Sequence, residues 1–316
     1  MVILISGGAG FIGRWVVKEL LKKDYEVVII DNLSNGRIEN LKEFENNPKL
    51  LAIIFEDIKN EKKLHDLFLK YKFSTCIHLA AQINVQESLE DPRKSFESNL
   101  IGTYNILESA RKYNTKIVLI GTCMVYDLTD SNSAISEDHK VKPKSPYAGF
   151  KLAAEELALS YYYSYNLPIV ILRPFNTYGP FQKTNMEGGV ISIFVKRKID
   201  NEKLIIYGDG TQKRDFLYIG DCAEFIVKTM ECENCIGEII NAGTGKDISI
   251  KDLAILIVGD VRRIEHVKHH HPQSEIMKLL CDNSKAKKLL NWEPKISLKE
   301  GIERLEKWII ENETRK

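Results

Sequence analysis

A tyrosine and a lysine four residues apart carry the clearest chemical signal in this chain. Tyr147 and Lys151 are predicted to stand at the start of a helix, where this spacing places both side chains on one face. A free tyrosine titrates near ~10 and is a poor base at neutral pH, but an adjacent cation lowers that pKa and favours the phenolate. The pair therefore predicts a phenol that accepts a proton. Such pairs are common on amphipathic helices, so the prediction needs a second feature.

The second feature is a glycine-rich turn near residue 1. A short apolar strand runs into the sequence GGAGFIG at residues 7–13, and a helical pattern follows. Between a strand and a helix, this pattern is typical of a dinucleotide-binding turn. Gly7 permits the tight turn, Gly10 lets the backbone approach a pyrophosphate, and Gly13 allows the helix to pack closely on the strand. We expect these glycines, with Phe11 and Ile12, to hold a dinucleotide at the positive N-terminus of the helix.

An acidic residue at the end of the second predicted strand selects among dinucleotides. The carboxylate of Asp31 can accept hydrogen bonds from ribose hydroxyls and would repel a 2′-phosphate. Asn32 and Ser34 follow with no basic neighbour, and Arg37 is interpreted as part of a solvated loop. The sequence therefore favours NAD over NADP. Further cofactor contacts are expected where the third and fourth strands end, from Asp57, Ile58, Leu79, Ala80 and Ala81.

The elements that must position these residues alternate between strands and helices. Predicted strands are Val2–Ser6, Glu26–Asp31, Leu51–Glu56, Thr75–Leu79, Lys116–Ile120 and Pro168–Arg173, and helical patterns cover Arg14–Lys23, Glu61–Tyr71, Phe96–Tyr113 and Lys151–Tyr165. Apolar strands separated by helices indicate a parallel sheet covered on both faces. We predict a doubly wound α/β (Rossmann) domain over residues 1–176 that carries Tyr147 and Lys151.

The second half of the chain has shorter elements. It is predicted to form a smaller mixed α/β substrate lobe over residues 177–316, whose chain crosses back to the sheet. Its predicted strands are Leu204–Tyr207 and Glu238–Asn241, and its predicted helices are Ile250–Ile257 and Leu298–Asn312.

Composition excludes several classes of protein. Lys and Arg number 45 against 44 Asp and Glu, a net charge of +1 that argues against a nucleic-acid partner. No apolar run approaches the ~20 residues that span a bilayer, and no basic leader precedes the first strand, so a cytoplasmic protein without a membrane segment is expected. Six scattered cysteines are typical of a reducing compartment. Cys232 and Cys235 have redox spacing but are interpreted as incidental surface cysteines, and the run His269–His271 is not expected to bind metal.

With these motifs, the chain resembles the extended short-chain dehydrogenase/reductase family, specifically its nucleotide-sugar epimerases and dehydratases. The resemblance also rests on Asn99 with Gly102-Thr103, Gly121-Thr122, Val125-Tyr126, Arg173–Asn176, Tyr178–Pro180, Gly208–Gly210, Arg214–Phe216 and Asn241–Gly243. It implies NAD as the cofactor and a nucleotide sugar as the substrate. It also implies Tyr147 as the base, Lys151 on the nicotinamide ribose, Thr122 on the reacting hydroxyl, and Asn99 in the cofactor site.

The resemblance implies a substrate site and a quaternary structure as well. Asn176 and Arg214 would bind the pyrophosphate of the sugar nucleotide, and the donors of a guanidinium suit phosphate oxygens. The remaining substrate-binding predictions are Gln82, Met124, Tyr207 and Gln273. The helix at Phe96–Tyr113 and the helix that begins near Tyr147 would pair across a two-fold axis, which implies a homodimer held by a four-helix bundle.

The two residues after Thr122 bear on the reaction. Relatives that eliminate water from a hexose carry Asp and Glu there, whereas this chain has Cys123 and Met124. Methionine transfers no protons and a thiol titrates near ~8.5, so the pair resembles that of 4-epimerases, which work through a transient 4-keto sugar. A Thr-Cys sequence also resembles the 5,6-dehydratase of tunicamycin biosynthesis. A 4,6- or 5,6-dehydratase that uses Cys123 therefore stays open, as does a non-catalytic NAD-binding regulatory protein.

Overall fold

The computed structural model describes residues 1–127, 133–184, 189–268 and 276–313. In this part of the chain the strands are β1 Val2–Ser6, β2 Glu26–Asp31, β3 Leu50–Phe55, β4 Thr75–His78, β5 Lys116–Ile120, β6 Ile169–Pro174, β7 Asn176–Tyr178, β8 Leu204–Tyr207, β9 Lys213–Tyr218, β10 Ile239–Ala242, β11 Asp247–Ser249, β12 Ile264–Val267 and β13 Lys278–Leu279. Among these, seven form one sheet in the order β10-β6-β5-β4-β1-β2-β3, and each neighbouring pair is parallel.

The described α-helices differ in where they pack, some on this sheet and others in the second half of the chain. They are α1 Phe11–Lys22, α2 Glu61–Tyr71, α3 Val85–Glu90, α4 Pro92–Ser95, α5 Gly102–Tyr113, α6 Pro146–Tyr165, α7 Val190–Ile199, α8 Ile219–Glu231, α9 Ile250–Val258, α10 Ser284–Leu290 and α11 Leu298–Glu313. Apolar side chains of α1 and α8 pack on one face of the sheet, and those of α2, α5 and α6 pack on the other. Strands buried on both faces carry the continuous apolar sequence that was read as a parallel sheet, and the predicted doubly wound α/β fold is confirmed.

Three predicted helical segments begin later than the observed helices, and one of them, Arg14–Lys23, belongs to a helix that starts at Phe11. Helix α6 starts at Pro146, five residues before the predicted segment Lys151–Tyr165, and this agrees with the prediction that Tyr147 stands at a helix start. Ser145 Oγ caps the helix by accepting a hydrogen bond from the Ala148 N–H (3.2 Å), and proline suits the first turn. The helix predicted over Phe96–Tyr113 starts at Pro92 and includes a π-helical turn, Phe96–Ile101, before α5. Such π-turns frequently lie at functional sites.

The second half of the chain contributes to two structures. Strand β10 pairs with β6 at the edge of the main sheet, and α8 packs on α1 below it. The rest forms small sheets, in which β9 pairs with β7, β11 and β13 while β8 pairs with β12. A separate apolar core joins these strands to α7, α9 and α11. Among the described helices, none is long and apolar enough to cross a membrane.

Candidate active site

The glycine turn is built so tightly that side chains are excluded from it. Gly7 has a φ of +77°, a conformation that favours glycine, and a Cβ at Gly13 would lie 2.1 Å from the Gly7 carbonyl oxygen. Helix α1 therefore starts directly against the turn, with its N-terminus facing a cleft at the carboxyl ends of the parallel strands. Ligands of doubly wound folds bind at this edge of the sheet.

The cleft has a volume of about 960 Å³ and collects most of the predicted cofactor residues. Its walls include Gly7, Gly10, Phe11, Ile12, Gly13, Asp31, Asn32, Ser34, Asp57, Ile58, Leu79, Ala80, Ala81, Tyr147 and Lys151, together with Thr122. Asn99 is buried beneath this wall, where its Oδ1 accepts from the Gln82 N–H (2.8 Å) and its Nδ2 donates to the Gln82 carbonyl (2.9 Å). Asn99 thus supports the cleft from below.

The carboxylate of Asp31 holds the turn together as well as facing the cleft. Its Oδ2 accepts from the Ala9 N–H (2.9 Å) and its Oδ1 from the Leu33 N–H (2.8 Å). Burial raises the pKa of Asp31, and these two donors oppose that shift. Beside it, Asn32 Nδ2 donates to Asp57 Oδ2 (2.9 Å). At this end of the cleft, the carboxylate of Asp31 and the neighbouring polar side chains of Asn32 and Asp57 suit a ribose with free hydroxyls.

Basic side chains at the same end were not expected to face the cleft. Arg37, predicted on a solvated loop, is exposed but also lines the cleft together with Lys183. Burial lowers the pKa of Lys183, and the charge of Arg37 lowers it further. The two cations are therefore near neighbours on one wall.

Helix α6 brings Tyr147 and Lys151 to the middle of the cleft, as their spacing predicts. Lys151 is buried, and its Nζ donates to the carbonyl oxygen of Ile120 at the end of β5. Burial lowers the pKa of Lys151 to about 8, while Glu155 opposes that shift. Burial raises the pKa of Tyr147 to about 12, and the side chain of Thr122 opposes the shift. The geometry places the phenol of Tyr147 and the ammonium of Lys151 in one site. The hydrogen bond of the ammonium goes to a backbone carbonyl, that of Ile120.

A buried ion pair lies one helical turn behind Lys151. The Nε and Nη2 atoms of Arg173 donate to Glu155 Oε2 at 2.9 and 2.7 Å, and both residues are almost fully buried. The guanidinium also stacks on Tyr126, 4.8 Å from its ring centre. Burial alone would lower the pKa of Arg173, but the charge and hydrogen bonds of Glu155, together with Tyr126, raise it, so the arginine stays charged. The pair fixes α6 against β6 below the reacting groups.

Cys123 and Met124 lie in a short 3-10 turn after β5. Thr122 Oγ1 accepts from the Met124 N–H (3.2 Å), which caps this turn. Cys123 is buried in a small apolar cluster, and burial raises the pKa of its thiol to about 12. It lies close enough to Tyr147 that a thiolate there would raise the pKa of the phenol. A thiol that stays protonated at neutral pH is a weak acid and not a base.

The described substrate predictions, Gln82, Met124, Asn176, Arg214 and Tyr207, are not among the residues that line the cleft. The side-chain Nε2 of Gln82 donates to the Asn84 carbonyl (2.8 Å), and its buried Oε1 has no partner among the described residues. Asn176, on β7, likewise has a buried Oδ1 without a partner in the described part of the chain. The Nη1 of Arg214 donates to the Ile276 carbonyl (2.6 Å), and Tyr207 is exposed at the end of β8. Gln273 and His269–His271 lie outside the described residues.

The far wall of the cleft was not predicted. The rings of Phe181 and Trp308 pack there at a tilt of 46° with their centres 4.8 Å apart, and Phe181 has a left-handed φ of +74°. The indole N–H of Trp15 fixes this loop by donating to the Pro180 carbonyl (3.1 Å). These residues come from three distant parts of the chain, so no local motif signals them.

Metal ligation has no structural support in the described residues. Across residues 1–127, 133–184, 189–268 and 276–313, no group of three or more His, Cys, Asp or Glu side chains is arranged to hold a metal ion. The side chains that gather in the cleft are instead suited to hydrogen-bond a dinucleotide and a polar ligand.

Known proteins are similar to this chain in sequence and in fold. The sequence profile of the family described as GDP-mannose 4,6 dehydratase matches residues 4–305. A putative UDP-glucose 4-epimerase of Methanocaldococcus jannaschii is 38% identical over 98% of this chain and 99% of its own length. The X-ray structure of Pal from Bacillus thuringiensis is 55% identical, covers 99% of this chain and 100% of that one, and superposes with a TM-score of 0.97.

A second structure includes a bound cofactor. UDP-glucuronic acid 4-epimerase from Bacillus cereus, in complex with UDP-glucuronic acid and NAD, is 34% identical, covers 99% of this chain and 100% of that one, and has a TM-score of 0.90. The chain therefore belongs to the GDP-mannose 4,6-dehydratase-like family of extended short-chain dehydrogenases/reductases and is an NAD-dependent enzyme of the epimerase/dehydratase class.

Proposed function

We propose that this enzyme is a nucleotide-sugar 4-epimerase that works through a transient 4-keto sugar. The observation that carries the proposal is the pair Cys123-Met124 after Thr122. Met124 has no proton to transfer, and the pKa of the buried Cys123 thiol is raised to about 12. An elimination needs both an acid for the leaving group and a base for the carbon-bound proton, whereas 4-epimerisation needs only the base at the 4-hydroxyl.

In this proposal Tyr147 takes the proton of the sugar 4-hydroxyl and later returns it. Bound NAD supplies the chemistry of a reversible hydride acceptor at the same carbon. Lys151, one turn along α6, favours the phenolate and holds the nicotinamide ribose. Thr122 orients the reacting hydroxyl and lowers the pKa of the phenol. The adenosine half lies at the Asp31 end of the cleft.

The nucleotide sugar occupies the wall opposite the cofactor in this proposal. Residues 1–176 bind NAD, and residues 177–316 provide the larger share of the substrate contacts. The unpartnered buried oxygens of Gln82 and Asn176 can each accept a hydrogen bond from a hydroxyl or amide of the ligand. The guanidinium of Arg214 is suited to the diphosphate.

We also propose that two copies of the chain pair through α5 and α6. Aromatic side chains are exposed on this surface, among them Tyr104 (43%), Tyr163 (74%) and Tyr165 (55%). Apolar rings left in water by a single chain would be covered if these helices paired in a four-helix bundle. Sedimentation velocity at micromolar concentration should give the mass of a dimer, and a monomeric mass would contradict the pairing.

Incubation of the enzyme with UDP-, dTDP-, GDP- and CDP-sugars in D₂O, followed by LC–MS, tests the reaction. A new peak of unchanged mass without deuterium is expected, because 4-epimerisation leaves the carbon-bound hydrogens of the sugar in place. The peak also identifies the nucleotide. Tyr147→Phe is the control for activity from a contaminant.

A product lighter by one water, allowing for incorporated deuterium, would overturn the proposal. It would favour the dehydratase alternative, in which Cys123 replaces the usual carboxylates. The closeness of Cys123 to Tyr147 makes Cys123→Ala the next variant in that case.

A further inference from the structure

Cys232 and Cys235 form a close pair of thiols on the side of the sheet away from the cleft. Cys232 follows the last residue of α8, and Cys235 ends the 3-10 turn Glu233–Cys235. Their Sγ atoms are 2.7 Å apart. A disulfide bond measures ~2.05 Å, so only a small movement separates these atoms from bonding distance.

The two thiols differ in accessibility. Cys235 is fully buried in the apolar core between α8 and the sheet, whereas Cys232 is only partly buried at its margin. This corrects the interpretation of both as surface cysteines. Burial raises the pKa of Cys235 to about 12, the neighbouring thiol adds to that shift, and Lys116 opposes it. Cys232 is therefore the thiol that a reagent reaches first, and Cys235 is the thiol held behind it.

A small pocket lies beside the two glutamates that flank Cys232, although neither cysteine lines it. It has a volume of about 400 Å³ and is lined by Lys116, Glu231 and Glu233, among others. The Nζ of Lys116 donates to the Cys232 carbonyl (3.2 Å) and pairs with Glu233 Oε1 (3.0 Å). Lys116 is the first residue of β5, so this pocket lies at the amino edge of the sheet, opposite the cofactor cleft. Its charged groups of both signs suit a small zwitterionic molecule.

We propose that Cys232 and Cys235 are a thiol–disulfide exchange site for low-molecular-weight disulfides of the glutathione class. The Cys232 thiolate attacks one sulfur of the small disulfide, forms a mixed disulfide, and releases one small thiolate, which takes up a proton. Cys235 then gives up its proton and attacks Cys232 Sγ, which releases the second small thiol. Two protein thiols are oxidised and one small disulfide is reduced to two thiols, so atoms and electrons balance.

This site is independent of the proposed reaction. Neither cysteine lines the cofactor cleft, and the described residues provide no third ligand that would make the pair a metal site. In reducing cells, such cysteine pairs are usually transient or redox-sensing.

Titration with oxidised glutathione followed by differential alkylation tests the proposal. Trypsin releases both cysteines in one peptide, residues 229–246, which contains no other cysteine. After oxidation this peptide should take up no iodoacetamide, lose two hydrogen atoms in mass, and take up two labels once it is reduced. The peptides that carry Cys76 and Cys222, both fully buried, serve as internal controls.

Single substitutions separate the two roles. Cys235→Ser should retain a glutathione adduct on Cys232, because the resolving thiol is absent, and Cys232→Ser should remain unmodified. Two outcomes for the wild-type peptide after treatment with oxidised glutathione would refute the exchange site. In the first, the peptide takes up two iodoacetamide labels without prior reduction. In the second, it accumulates the same glutathione adduct as Cys235→Ser. The readout is mass, so it does not depend on turnover. If Cys235→Ser fails to fold, the wild type and Cys232→Ser still decide the result.

Discussion

Replacing Glu155 by glutamine should destabilise the enzyme strongly, although the carboxylate touches no ligand. The substitution keeps the shape of the side chain and removes the charge that faces Arg173. Because the guanidinium is almost fully buried, it would remain as an unpaired charge in the core. Removing one partner of such a pair typically costs about 3–5 kcal/mol.

That cost converts into a measurable change of Tm. At about 2.1 cal/mol/K per residue, the unfolding entropy of 316 residues is about 660 cal/mol/K, so Glu155→Gln should lower Tm by about 5–8 °C. Glu156→Gln is the matched control, since Glu156 is the exposed neighbour on the same helix. Adding Arg173→Met to Glu155→Gln removes both charges and should restore much of the loss. Differential scanning calorimetry measures all three variants.

The same substitution should also change the pH profile. Glu155 raises the pKa of Lys151, so its removal lets that pKa fall further below about 8. The ammonium is then lost at lower pH, and the alkaline limb of the kcat/KM profile should move toward neutrality. A Tm equal to that of Glu156→Gln would refute the argument from the buried pair. An unmoved alkaline limb would refute the role assigned to Lys151.

Three further predictions follow from the same geometry. Tyr147→Phe should lower turnover by about 10²–10⁴-fold while NAD, measured by absorbance, stays bound. Gly13→Ala should abolish NAD binding in calorimetry, because the new Cβ would lie 2.1 Å from the Gly7 carbonyl oxygen; wild-type affinity would contradict it. Burial lowers the pKa of His78 from 6.5 to about 3, so this neutral imidazole contributes stability at neutral pH that is lost as the pH falls through that range. As the pH falls through this range, the free energy of unfolding measured in urea should therefore decrease less for His78→Gln than for the wild type. The difference should be up to about 1.4 kcal/mol per pH unit.

The sequence predicted those features that depend on residues close together along the chain. The glycine turn needs three residues without side chains within seven positions, and that requirement is visible in the sequence itself. Tyr147 and Lys151 line the same cleft because they lie on one face of α6, which follows from their spacing alone. The parallel sheet was predictable because strands buried on both faces must be apolar throughout.

Features formed by segments that are distant in sequence escaped prediction, because no local pattern records the contact between them. The wall formed by Phe181 and Trp308 depends on α11 folding back over the cleft, and nothing near either residue records that contact. Arg37 is exposed as predicted, but that it also lines the cleft beside Lys183 was not predictable, because Lys183 lies far away in sequence. The thiol pair is local in sequence, but its burial depends on the packing of α8 against the sheet.

The protonation states of Tyr147 and Lys151 indicate what the proposed base needs in order to act. With a pKa of about 12, the Tyr147 phenol is protonated at neutral pH, and Lys151 is held by the Ile120 carbonyl. Lowering that pKa to about 7 requires about 7 kcal/mol of preferential stabilisation of the phenolate. Burial makes the site able to supply it, since a cation that contacts the phenolate acts more strongly there than in water. The burial that raises the pKa of Tyr147 is thus also what strengthens the effect of ligand charge and of Lys151 on the phenolate.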